Sequence, residues 1–272
     1  MEREALPFVW LTATATLIAA VRRSKWPRGR QIWIAALIGL GLFVAPSWLV
    51  LFSSRWVPEL TRVALFSLVP VFAVVFEPYI GSLTDRQRRG ELIAALAAVG
   101  GTLCFFPADV PNSIETGFAF SAVVLAAACI AATNCLAVKV ATQLTAKSIA
   151  PMTAIAGATA AAGFGATAAF AEQVVWKWDA LAPELVWSAA VGLPGLLLLF
   201  WLMRSISAVR MTTRFVLAPV FAALFGLLFL QPAMSLRIWF GLALVAVGAG
   251  WLLFAPEEEA NGASLSLKLN RE

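Results

Sequence analysis

The chain has 272 residues, 61% of them hydrophobic and 13% charged, with a mean hydropathy of +0.86. Soluble domains carry about 25% charged residues, so this composition excludes a soluble globular protein and predicts an all-α integral membrane protein. The net charge of +5 is spread over short connectors, which fits anionic lipid headgroups as partners and argues against nucleic acid.

Taken in chain order, apolar segments long enough to approach or complete a crossing fall at 5–21, 32–53, 61–82, 91–107, 117–138, 148–171, 185–203, 213–231 and 236–255. That predicts about nine transmembrane helices. The opening MEREALPFVW is mixed in charge and runs into a segment of full length, so it reads as a retained span rather than a cleaved signal. RRSKWPRGRQ, TDRQRRGE, PADVPNSIE and EQVVWKWDALAPE are the polar connectors, and the last residues, 256–272, read as a disordered polar tail. Lys and Arg alternate unevenly between the two sets of loops, 15 against 5 of the 20 in the chain. By the positive-inside rule the richer set and the C-terminus face the cytoplasm, with the N-terminus outside in a cytoplasmic (inner) membrane.

One apolar phrase is written twice. LVPVFAVVF at 68–76 and LAPVFAALF at 217–225 agree at six of nine positions. Arg55 and Arg204 keep the same 149-residue offset, and AALAAVG ending at Gly100 matches LALVAVG ending at Gly248. The third span and the eighth stand five apart in order, an odd number, so the two copies would run through the bilayer in opposite directions. The division is a first repeat at 1–107 with four helices and a second, inverted repeat at 117–255 with five; the opening helix of the first repeat has no counterpart. Inverted repeats recur in secondary transporters that alternate access to a midplane site.

RWVPELTRVALFSLVPVF, RSISAVRMTTRFVLAPVF, AATNCLAVKV and QPAMSLRIWFGLALVAVGAGWLLF together resemble the EamA-type transporters of the drug/metabolite transporter superfamily. The resemblance implies a ten-helix transporter fold of two inverted five-helix repeats, here without the first helix. It also implies export of a small organic metabolite, amino acid or drug. Where that family often has Gly-Glu after the proline helix, this chain reads Gly81-Ser82 and Leu230-Gln231.

Glu77 is the only acidic residue well inside a predicted span, about 24 Å along its helix from Thr61 at ~1.5 Å per residue. Ionising a carboxylate within a membrane costs about 3 kcal/mol, which makes it a candidate for binding a cationic group or carrying a coupling proton; pairing with Arg86 or Arg88 is the alternative. Asn134, deep in the fifth span, either contacts solute or fastens two helices. Trp48 and Trp201 are candidate cavity walls, and Phe72 and Tyr79 accompany them on the repeated helix. Pro70 and Pro219 occupy equivalent points of the repeats and are hinge candidates, with Pro46 and Pro194 as two more. Gly157 and Ala161 permit close helix packing.

Cys104, Cys129 and Cys135 form no CxxC pair, no GxxxxGK[ST] phosphate loop is present, and the chain has no histidine. No cofactor or metal is expected, and an enzyme is disfavoured. The expected function is a secondary transporter working by alternating access on a small-molecule solute. A lipid or lipid-linked carrier flippase and a non-transporting membrane subunit are the alternatives.

Overall fold

A computed structural model describes residues 2–80, 85–106, 111–144, 148–171, 178–230 and 235–254, and among them every regular element is a helix. The tail at 256–272, Gly81-Ser82 and Gln231 lie outside the described residues. In chain order the helices are α1 (Glu2–Val21), α2 (Arg30–Gly39), α3 (Ala45–Ser53), α4 (Glu59–Phe66), α5 (Val69–Ile80), α6 (Asp85–Phe105), α7 (Ile114–Gln143), α8 (Ile149–Ala171), α9 (Trp178–Trp187), α10 (Leu193–Leu202), α11 (Ala208–Thr212), α12 (Arg214–Leu230) and α13 (Leu236–Phe254). Wide turns of π-helix, Leu40–Val44 and Ser188–Gly192, join α2 to α3 and α9 to α10.

Among the described residues, eight helical stretches are long and apolar enough to cross a membrane: Glu4–Val21, Arg30–Ser53, Glu59–Tyr79, Ile114–Gln143, Ile149–Ala169, Leu181–Leu202, Ala208–Gly226 and Leu236–Phe254. The remaining long helix, α6, has 21 residues but opens with Asp85, Arg86, Arg88, Arg89 and Glu91. Its apolar part is correspondingly short, and this separates the eight spans from the nine predicted.

The π-turns have a local cause. A proline inside a helix has no N–H and its ring crowds the carbonyl four residues back; Pro46 and Pro194 stand just after the two wide turns. Ahead of each proline the ladder opens to the five-residue spacing, with Ala45 N–H donating to the Leu40 carbonyl and Leu193 N–H to the Ser188 carbonyl. The Gly41 carbonyl receives a thiol bond from Cys129 on α7 at 3.3 Å. Both wide turns sit 148 residues apart, as do Pro46 and Pro194.

Two helix pairs frame the bundle. α1 lies along α8, where a Cβ on Gly157 would stand 2.8 Å from Thr12 Oγ1 and 3.4 Å from the Phe8 carbonyl. The small residue is what lets the helices approach. α6 lies along α13, and a Cβ on Gly101 would come within 2.6 Å of the Gly241 carbonyl. The core gathers on α7, whose buried alanines, Val123, Ile130 and Cys135 face α3 and α5. A reciprocal cap of Ser113 and Thr116 starts α7 by satisfying two otherwise unpaired groups.

Candidate functional site at the interface of α5 and α7

The repeated helix is broken rather than continuous. α4 ends at Phe66, a turn follows in which Ser67 and Leu68 N–H donate to the Ala64 and Leu65 carbonyls, and α5 starts at Val69. Pro70 is therefore the second residue of a new helix, a position where its missing donor costs nothing. In the second copy the break falls earlier, at Thr213, and the buried Pro219 lies inside α12. The equivalent aromatics Phe66 and Phe215 meet between the copies, stacked with centroids 6.3 Å apart.

α5 presents Glu77, half-buried, toward α7. The Cys135 thiol lies between the Ala73 carbonyl, at 3.7 Å, and the Glu77 carboxylate. Among the described residues, Lys139, one helical turn further along α7, is the cation whose field acts on Glu77; of the two arginines offered as partners, Arg88 is not among the groups acting on it, and the side chain of Arg86 lies outside the described residues. The arrangement joins an acid, a thiol and an ammonium across one helix contact. It can hold a proton or a cationic group, since the carboxylate has acceptor capacity beyond one thiol.

Asn134 is fully buried at 0% exposure. Its Nδ2 donates to the Ile130 carbonyl of its own helix at 2.9 Å, while its Oδ1 has no hydrogen-bond partner. Among the described residues this side chain makes no hydrogen bond to another helix, so nothing here supports the fastening alternative. A buried acceptor without a donor costs about 1–3 kcal/mol, so this carbonyl oxygen is a point where a bound donor would be stabilising.

Of the remaining candidates, Trp48 and Trp201 lie on other helices, whereas Phe72 and Tyr79 share α5 with Glu77. Trp48 is tied to α8 by its indole N–H, which donates to Thr167 Oγ1 at 2.9 Å. Trp201 lines a groove of about 320 Å³ between α1, α8 and α10, together with Phe200, Thr153, Arg22 and Arg204. Phe72 stacks on Phe76 with centroids 6.2 Å apart, and Tyr79 is 81% exposed. A cavity of about 480 Å³ lies toward the other end of α7, lined by Trp56, Thr61, Asn112, Thr116 and Phe120. Sequence reasoning missed Cys135 and Lys139 as neighbours of Glu77. Their spacing of four residues on one helix was visible, but which helix α5 would face was not.

No family model matches the chain, and no curated protein does. Twenty-two chains of solved structures match. One, described only as "Crystal structure of protein", superposes with a TM-score of 0.73 at 17% identity, over 94% of this chain and 89% of that one. At that identity the likeness establishes a shared fold.

Proposed function

We propose that the chain is a secondary transporter, an exporter of a small organic metabolite, amino acid or drug, of the kind seen in EamA-type members of the drug/metabolite transporter superfamily. In this reading α6 is a ninth crossing, and residues 1–107 and 117–255 are inverted repeats that rock about broken helices. The basic loops and the C-terminus face the cytoplasm of a cell inner membrane, and the protein is a carrier rather than an enzyme.

The observation that carries the reading is the double use of one interrupted design. A π-turn followed by proline occurs twice at an offset of 148 residues, a helix broken ahead of Pro70 and of Pro219 also occurs twice with those prolines 149 residues apart, and Phe66 meets its counterpart Phe215. Irregular backbone within a membrane is tolerated where it is buried in protein or lines a cavity, and discontinuous helices at a repeat interface are how such carriers form their sites. Glu77 and the unpartnered Asn134 Oδ1 both accept hydrogen bonds, so they favour a solute bearing an amine or other N–H donor.

The test is flux in proteoliposomes against a panel of amino acids, amines, nucleosides and sugars, with an imposed pH gradient. Saturable transport of an amine-bearing solute, with Glu77→Gln losing its dependence on the gradient, is the expected result. Absence of flux for every class sinks the carrier reading, and flux in Glu77→Gln with an unchanged pH dependence removes Glu77 from coupling.

A further inference from the structure

α10 is weakly enclosed, for none of its residues is buried. Between it and α12 runs an apolar trough of about 270 Å³ walled by Leu198, Leu199, Leu202, Leu217 and Leu253. Arg210 and Arg214 also line it, and among the described residues no acidic side chain does. Arg214 is half-buried at the first residue of α12, inside the span Ala208–Gly226. Its guanidinium lies 4.9 Å from the centre of the Phe215 ring, and no carboxylate among the described residues pairs with it.

The frame of the protein does not call for a cation at this place. In the first copy the corresponding residue is Leu65, 5% exposed and packed in the core. A cation drawn into an apolar wall without an anion is costly, whereas a guanidinium binds a phosphate through two parallel hydrogen bonds. The trough next to it matches a hydrocarbon chain. A zwitterionic headgroup would bring an ammonium beside the Arg214 guanidinium, and no acid among the described lining residues stands there to receive it. The chemistry selects a net anionic headgroup.

We propose that the trough between α10 and α12 is a binding site for an anionic phospholipid, with the phosphate on Arg214 and one acyl chain against the leucine walls. The site is separate from the interface of α5 and α7 and holds whether or not the protein carries a solute. It differs from the groove at Arg22 and Arg204, where both arginines are exposed.

The full chain, purified in detergent, is titrated with dioleoylphosphatidylglycerol, dioleoylphosphatidylcholine or inorganic phosphate, and followed by native mass spectrometry and thermal unfolding. Phosphatidylglycerol should be retained as an adduct and should raise the unfolding temperature; neither of the others should. Arg214→Leu, which installs the residue of the other copy, should weaken phosphatidylglycerol binding about tenfold or more while unfolding as the wild type does without lipid. Arg214→Gln serves the same purpose if the leucine variant does not fold. Equal effects of the two lipids, an equal effect of phosphate alone, or undiminished selectivity in the arginine variants would overturn the proposal. So would finding the trough closed by a second polypeptide, seen as a cross-link from Leu198→Cys, with no response to phosphatidylglycerol.

Discussion

The spans Arg30–Ser53 and Leu181–Leu202 share a design, a wide turn followed by proline, but their surroundings differ. The first buries 39% of its most apolar stretch and the second 11%. α2 packs on α8 and α3 on α7, so the first rod is held on two sides; α9 and α10 lean chiefly on α1. The element responsible is α7, which buries 61% of its most apolar stretch while serving α3 and α5. No described helix takes the corresponding place beside α10 and α12. Side chains follow the difference: Gly39 lies against the backbone of α8, whereas Trp187, 148 residues later, is 66% exposed. Apolarity alone thus does not report packing in a bilayer, because a lipid-facing and a core-facing leucine satisfy the same solvent requirement.

That contrast can be broken by substitution. The largest effect is expected at Gly39, where a Cβ would run into the Ala156 carbonyl and Thr159 Oγ1. Gly39→Leu should destabilise the fold by about 3 kcal/mol or more, and Trp187→Leu should change it by less than about 0.5 kcal/mol. Thermal unfolding of the two variants in one detergent checks this, and equal losses would contradict the asymmetry. A middle-sized effect concerns the place where Phe66 meets Phe215. Phe66→Ala and Phe215→Ala should each weaken the fold, and the double variant should reveal a coupling of about 0.5–1.5 kcal/mol; strict additivity would mean that the stacked pair does not join the copies. The smallest is Trp48→Phe, which removes the indole bond to Thr167. It should cost about 1 kcal/mol, with Thr167 Oγ1 still donating to the Gly163 carbonyl at 2.7 Å.

Much of the architecture was legible because membrane insertion writes itself as long apolar runs, and eight of the predicted crossings recur as such helices. What escaped the sequence is where those helices are interrupted. Pro46 and Pro194 announced a disturbance, but whether a proline kinks a helix or widens the turn before it depends on which carbonyl finds another donor, and for Gly41 that donor is a thiol 88 residues away. Pro70 was read as a bend within one helix, whereas the chain ends α4 first and starts α5 around it. For the candidate site, Glu77 was visible as a lone intramembrane acid. Its neighbours were not, since choosing Lys139 over Arg88 requires knowing that α5 lies on α7.

The wide turn at Leu40–Val44 also changes what a single rod can do. An α-helix advances by about 100° per residue, so one residue inserted into a turn shifts the phase of every side chain beyond it by roughly a quarter revolution. Before the turn the chain addresses α8, and after it α7. A straight helix would present one stripe to one neighbour along its whole length; with the shift, the same strand of backbone splits its allegiance between two partners halfway along the span, and sliding one partner need not drag the other.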